Sequence, residues 1–289
     1  MISQPDRPRG RGRKLAPTPV KQTAAELGIP VAQPEAVGNA DALEWLRPLE
    51  PDLGCVVAFG QFIPKSVREL PGHGMINAHA SLLPRHRGAA PVQHAVLCGD
   101  PKTGVTIIRV VREMDAGATC LTLETEIGPE ETAGELAGRV AELAARALVE
   151  AVEQIAEGRA VFQPQGEQGI TLAPKVDREF GQIDWGEPSV AVLRRIRAAT
   201  PAPGAHTELR LGGRAEVRRL RILRATAASD LAPPDSPGRL RSDGRRLWLS
   251  ALDGWVEVLT VQEVGRKPLD AGAYLRGARL PPDEEVEAR

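Results

Sequence analysis

Cysteine is scarce in this sequence. Cys55, Cys98 and Cys120 are odd in number and lie far apart, with no C-x-x-C pair. That excludes a disulfide framework or a zinc knuckle and fits free thiols in a reducing compartment. Aromatics make up 3% of the residues, too few for a platform that stacks single-stranded bases. No apolar run approaches the roughly 20 residues that a membrane-spanning helix needs. The opening MISQPDRP is polar at once and holds no signal-peptide core. An excess of one charge sign is missing too: the net charge is −1, so the whole molecule is no polycation. Together these absences predict a soluble cytoplasmic protein without a membrane segment.

What is present is an apolar fraction of 42% over 289 residues, enough for one large packed domain or two ordinary ones. Residues 1–20 are rich in Pro, Gly and Arg and read as loop. VKQTAAELGIP, 20–30, predicts a short helix stopped by Gly28. CVVAF, 55–59, lies between Gly54 and Gly60 and predicts a parallel strand buried on both faces. MIN, 75–77, is a shorter strand signal. PVQHAVLCG predicts a helix with Pro91 at its first position and Gly99 as its stop. GVTIIRVV, 104–111, is β-branched and predicts a strand.

Thr132 and Glu135 form a T-x-x-E capping box. Leu136, Val140, Leu143, Ala147, Leu148, Ala151 and Ile155 then follow at three- and four-residue steps as one apolar stripe, and Gly158 ends it. Strands alternating with helices predict an α/β layer structure over residues 1–160. Residues 161–179 show no sustained period and read as a linker. Beyond it, VAVLRRIRAA predicts a short helix. HTELRL, LRILRA, GRLRS, RRLWLSA and WVEVLTVQ are short β-like runs between turns, which predicts a small antiparallel barrel over 180–289. The tail PPDEEVEAR is expected to fray.

The richest chemistry lies in NAHASLLPRHRGAAP, 77–91, with one Asn, two His and two Arg in fifteen residues. Asn77 and His79 follow a strand signal, at the end of an α/β sheet where ligands bind. A His can take a proton and, once charged, stabilise an oxyanion, and an Asn amide can donate to a carbonyl oxygen as negative charge develops there. Asp115, in a turn just after the 104–111 strand, is the carboxylate placed to orient His79. SLLP followed by RGAAP predicts a tight turn with apolar walls able to hold a flat ligand. A lone His on a strand edge is more often structural. His73, His86 and His94 read as loop or helix-surface residues. A metal site from His79, His86 and Asp115 is discounted, because an Arg flanks His86 on each side and tight ligand spacing is missing.

The combination INAHASLLPRHRGAAP…GD…TGVTIIRVVREMDAGA resembles the formyltransferases that use N10-formyltetrahydrofolate. The pattern falls on Asn77, His79, Ser81 to Pro84, Arg87 to Pro91 and Asp115. Within that superfamily the chain resembles the methionyl-tRNA formyltransferases. SQPDRPRGRGRKLAPTPVK, LAPKVDREFGQIDW, RRIRAATPAPGAHTEL and VQEVGRKPLDAGAYLRG carry that likeness, so it spans nearly the whole chain. It departs at Ala202, where the family has an aromatic, and at VQEVGRK. Met1 falls near the end of the family's second strand, so the resemblance implies a sheet lacking the first βαβ unit.

The resemblance implies a Rossmann-like, mostly parallel α/β sheet followed by an oligonucleotide-binding-type (OB-like) β-barrel. It implies that Asn77, His79 and Asp115 act on the formyl group. Ser81, Leu82, Leu83 and Pro84 would lie against the folate, with Phe59, Gly60 and Ile63 in a second wall. No metal is implied. Arg7, Arg9, Arg11, Arg13 and Lys14 put five cations in eight residues within the loop 5–19, and Pro8, Gly10 and Gly12 forbid a helix there. Read alone, this is a mobile arm that either is simply solvated or meets phosphates. The resemblance implies contact with the acceptor arm of initiator methionyl-tRNA. Residues 175–289 hold 20 Lys/Arg against 17 Asp/Glu. Arg194, Arg195, Arg197, Arg218, Arg219 and Arg221 therefore predict a local basic face on the barrel, not a basic domain.

Two other readings share these residues. One is a folate-dependent formyltransferase or hydrolase with a different acceptor. The other is a non-catalytic tRNA-binding remnant. A monomer is expected, since no segment suggests a dedicated dimer surface.

Overall fold

The computed structural model describes every residue except 10, 11, 13, 212–216, 279, 281–285 and 289, and of Arg9 and Leu211 only the backbone. The chain divides into two compact units. One comprises residues 1–87, 105–123 and 143–171, and the other residues 88–104, 124–142 and 172–289. The units interleave, so the cut does not fall at a single point near residue 160.

The chain opens on β1 (Arg7–Arg9) and β2 (Lys14–Ala16), an antiparallel pair with Arg7 opposite Ala16 and Arg9 opposite Lys14. The basic segment is thus a β-hairpin rather than a structureless arm. Pro8 and the glycines exclude a helix, but Gly12 (φ 101°) is free to take the reversal between two extended strands. Next comes α1 (Pro19–Glu26), with Pro at its first turn and the Thr18 hydroxyl accepting from the Lys21 amide. The helix α2 (Ala40–Leu46) is capped in the same way by Asn39.

A four-stranded sheet follows, in the order β3 (Gly54–Val56), β4 (Met75–His79), β5 (Lys102–Arg109), β6 (Thr119–Glu126). The sheet is mixed: β3 and β4 run parallel, with Val56 opposite Asn77, whereas β5 returns antiparallel with His79 opposite Thr106. Between these strands lie α3 (Lys65–Arg68) and α4 (Pro91–Cys98), the latter ended by Gly99 at φ 71°. The interior strands are β4 and β5. Val105, Ile107 and Ile108 are buried, as β-branched residues of an interior strand should be.

The expected buried strand 55–59 is shorter than its apolar run. It ends at Val56, Cys55 is exposed, and Val57 is half exposed. The cause is its position at the end of the strand order, with β4 as its neighbour, and a turn through Ala58 (φ 45°) and Gly60 (φ 78°).

The helix α5 (Ala133–Ala156) begins at the capping box. The Thr132 amide donates to Glu135 Oε2 at 2.9 Å, and the Glu135 amide donates to Thr132 Oγ1 at 3.3 Å. The stripe from Leu136 to Ile155 is buried except Leu148, which is half-buried. The stretch after α5 is irregular, yet Gln163 exchanges two backbone hydrogen bonds with Thr119 of β6. Part of the predicted linker therefore belongs to the first unit.

The last segment forms α6 (Ser189–Ala199), β7 (His206–Leu211), β8 (Val217–Ala228), β9 (Leu240–Ser242), β10 (Leu247–Ser250), β11 (Trp255–Glu263), β12 (Leu269–Asp270), α7 (Ala271–Ala278) and β13 (Val286–Ala288). The strand order is β13-β7-β8-β11-β10-β9, antiparallel at each described pair, with β12 added beside β11. A bridge between Arg239 and Glu287 joins the two ends of that order, so the sheet is a nearly closed barrel. Its core includes Leu209, Leu220, Ile222, Leu247, Leu249, Val256 and Val258. Buried Trp185 donates its indole N–H to Thr207 Oγ1 at 2.9 Å. The tail does not fray at its end: Val286 and Ala288 are buried and β13 pairs with β7, while 281–285 lie outside the described residues.

Candidate active site

Asn77 and His79 sit two residues apart on β4, so their side chains share one face of the sheet. His79 is the strand's last residue and is 5% exposed. Its Nε2 lies 2.9 Å from the carbonyl oxygen of His86, and since a carbonyl only accepts, Nε2 carries the hydrogen. On the other side of the ring, Nδ1 lies 3.5 Å from Asp115 Oδ2. A ring flanked by an oxygen at each nitrogen can donate to both only as the imidazolium.

Asp115 reaches this position from the loop between β5 and β6. Its backbone is left-handed, at φ 51°. Two residues on, Gly117 passes so close to β5 that a Cβ there would lie 1.9 Å from the Arg109 carbonyl oxygen. Only glycine allows that crossing.

The turn after His79 is held from inside. The Ser81 amide donates to the His79 carbonyl, its Oγ donates to the Arg85 carbonyl at 2.6 Å, and its own carbonyl accepts from Thr106 Oγ1 at 2.7 Å. Ser81 is fully buried, so its hydroxyl serves the turn rather than facing a ligand. Leu82, Leu83 and Pro84 are half-buried. The parallel β3–β4 register sets residues 57–60 beside the chain leaving β4. There Phe59 is half-buried, Gly60 is exposed, and the Phe59 carbonyl accepts from Gln4 Nε2 at 2.6 Å. Ile63 instead packs into a small core with Val37 and Val67. Of the two predicted walls, Ser81 and Ile63 are supports. Phe59 packs against the same small core as Ile63 yet, like Leu82, Leu83 and Pro84, is only half-buried.

In the basic hairpin, Arg7 and Lys14 are exposed; Arg11 and Arg13 lie outside the described residues, and Arg9 is described by its backbone alone. The hairpin's root is fixed. Asp6 pairs with Lys21 at 2.7 Å and accepts from Gln33 Nε2 at 2.7 Å, which holds its carboxyl below the usual carboxylate range.

The predicted basic face of the barrel is partly spent on internal bonds. Arg195 stacks over Phe180 and donates to its carbonyl, Arg218 donates to the Ala278 carbonyl, and Arg219 pairs with Glu208 at 2.7 Å. Arg197 is half-buried, and desolvation lowers its pKa. Arg194 stacks its guanidinium against the Gly99 turn, and Arg221 remains exposed.

His94 bonds the Pro174 carbonyl from the surface of α4, as a helix-surface residue does. His86 is buried rather than looped into solvent, with its amide donating to Thr171 Oγ1 at 2.8 Å. Among the described residues, no three His, Cys, Asp or Glu side chains are grouped to hold a metal ion, and no helix is long and apolar enough to cross a membrane. Sequence reasoning does not find Gln165 or Thr171, polar residues in an irregular stretch with no motif around them.

Comparison with known proteins gives the family. Residues 1–152 match the formyl transferase family, and residues 175–279 match the formyl transferase C-terminal domain. The methionyl-tRNA formyltransferase of Moorella thermoacetica is 42% identical over 285 residues, covering 98% of this chain and 89% of that protein. Among solved structures, the fold resembles HypX from Aquifex aeolicus in complex with tetrahydrofolic acid (TM-score 0.61, 22% identity, 88% of this chain and 43% of that one). It also resembles the N-formyltransferase from Helicobacter canadensis (TM-score 0.62, 14% identity, 90% of this chain and 87% of that one).

Proposed function

The chain belongs to the methionyl-tRNA formyltransferase family, and from that premise we propose that it moves the formyl group of N10-formyltetrahydrofolate to the α-amino nitrogen of methionine on initiator tRNA. The observation that carries the mechanism is the approach of Asp115 to His79, with Nδ1 3.5 Å from the carboxylate, beside Asn77 on the same face of β4.

The nucleophile is the neutral α-amine. Its lone pair forms a bond to the formyl carbon, and the carbonyl π electrons move onto oxygen. Asn77 donates its amide N–H to that oxygen, and charged His79 on the same face of β4 lowers the energy of the anion. Asp115 holds the ring from its Nδ1 side. Collapse restores the C=O bond and breaks the bond to N10. The amine loses one proton and N10 gains one, so no net proton is produced. Leu82, Leu83, Pro84 and Phe59 present the apolar surface on which the flat pterin ring of the formyl donor is read to lie.

Residues 1–160 form the catalytic domain in this reading, and 180–289 hold the tRNA along its backbone. The basic hairpin, with Arg7 and Lys14 exposed, contacts the acceptor arm by neutralising phosphates. The protein acts as a single chain in the cytoplasm.

The test is formyl transfer from labelled formyl donor to charged initiator tRNA, a sugar-nucleotide amine, or water. Consumption driven by the charged tRNA alone is the expected outcome. Faster transfer to the nucleotide amine, or release as free formate, would replace the acceptor. Binding of tRNA without any turnover would make the chain a non-catalytic tRNA binder.

A further inference from the structure

Gln165 lies in the irregular stretch after α5, outside every element and motif. It is half-buried, and each of its polar atoms is engaged. Its Nε2 donates to the carbonyl of Asp115 at 2.7 Å and to the carbonyl of Gly117 at 2.8 Å. Its Oε1 accepts from Arg87 Nε at 3.1 Å and Nη2 at 2.6 Å. The amide orientation is unambiguous. Turned over, its oxygen would face two carbonyl oxygens and its NH2 would face a guanidinium.

These bonds close a circuit around the reacting pair. Arg87 follows His86, whose carbonyl accepts Nε2–H of His79, and the other nitrogen of that ring faces Asp115. Thr171 closes the far side: its Oγ1 accepts from the His86 amide at 2.8 Å and its carbonyl accepts from the Arg87 amide at 2.9 Å. Gln165 is itself fixed through Gln163, which is bridged to Thr119. Asp115 sits in a left-handed backbone conformation that a non-glycine residue keeps only when its surroundings impose it. The Asp115 carbonyl and the Gly117 carbonyl two residues on are both held by one amide.

On the reading of the site given above, we infer that Gln165 is a positioning residue: anchored by Arg87, it holds the Asp115 carboxylate against His79 through the carbonyls of Asp115 and Gly117. A planar amide is required. A carboxylate at this position keeps the acceptor for Arg87 but turns oxygen toward two carbonyl oxygens, and an aliphatic side chain does neither job.

The test is steady-state kinetics of Gln165→Leu and Gln165→Glu, alone and combined with Asp115→Asn. Each single Gln165 variant should lose at least tenfold in kcat with KM for both substrates within twofold. The Glu variant should be no better than Leu, because the bonds to the Asp115 loop are those that matter. A residue that acts through Asp115 has nothing left to hold once that carboxylate is gone, so Gln165→Leu should cost less than twofold in the Asp115→Asn background. Losses that multiply, or a kcat within twofold of the parent, overturn the inference. A second readout is independent of turnover. In the protein labelled with 15N-histidine, the His79 ring signals, identified with His79→Gln, should move in Gln165→Leu. Unmoved signals would overturn the inference as well. If the parent protein transfers no formyl group, the functional reading fails, and these spectra still decide whether Gln165 sets the ring's surroundings.

Discussion

Replacing Asp115 with Asn removes one charge and almost no volume, and it isolates the electrostatic part of the proposed site. The carboxylate oxygen is 3.5 Å from His79 Nδ1, with side chains 5% and 16% exposed, so the pair is largely shielded from water. At that separation, and at an effective dielectric near 20, a unit charge pair is worth about 5 kcal/mol. That figure is a ceiling. The Asn dipole retains some attraction for the ring, and the loop can relax. About half is expected to be lost where the imidazolium matters most, roughly 2.5 kcal/mol, or about 70-fold in kcat. The assay is single-turnover formylation of charged initiator tRNA at saturating formyl donor, with the melting temperature measured in parallel. Because the pair is shielded, the ratio of parent to variant rates should barely change as salt is raised. A loss under about fivefold in a variant that melts like the parent would mean that the carboxylate does not support a charged ring.

Two further outcomes follow from charges elsewhere. Reversing both exposed cations of the hairpin, Arg7→Glu with Lys14→Glu, should raise KM for charged tRNA about tenfold, leave KM for the formyl donor unchanged, and flatten the dependence of log KM on log salt by between one and two units; an unaltered salt slope would remove the hairpin from the tRNA interface. Glu131 is held below its ordinary value of 4.5, first by its hydrogen bonds to Arg139. A depressed carboxylate stabilises fully above its unfolded value and loses that contribution as pH falls through its folded value. Glu131→Gln should therefore melt earlier than the parent at pH 7 and show a shallower fall in melting temperature below pH 4.5, and equal acid slopes by circular dichroism would contradict this.

The parts legible in the sequence are those where local chemistry and tertiary position agree. Thr132 and Glu135 announce the start of α5, and Pro91 and Gly99 bound α4 to the residue. His79 and Asp115 could be paired because the end of one strand and the loop after its neighbour meet at one sheet edge. Other parts depend on neighbours that one segment cannot reveal. CVVAF looks like an interior strand but leaves the ladder at Val56, because an apolar run does not say how many strands flank it. TCLTLETE is not anticipated as β6, although Leu121 and Leu123 alternate with polar residues as on a half-covered strand. The hairpin was hidden by its Pro and Gly content, and β13 by an acidic tail that looks solvated. Gln165 carries no signal at all, since a side-chain amide that bonds distant backbone has neither period nor spacing.

One irregularity in β8 decides where a charge goes. Ile222 pairs with Val261 and Arg224 with Thr260, which leaves Leu223 with nothing opposite it. Before that point the strand keeps a stride of two: Arg219 and Arg221 face out, Leu220 and Ile222 face in. After it the phase is inverted, and even-numbered Arg224 also faces out, where it meets Glu135 on the first turn of α5. Had Leu223 been paired in regular alternation, the same guanidinium would be aimed at the greasy interior beside Ile222. A skipped residue on β8, answered by the skipped Leu259 on β11, thus acts as a gear shift along the barrel wall, turning what would be a stranded cation into a clasp.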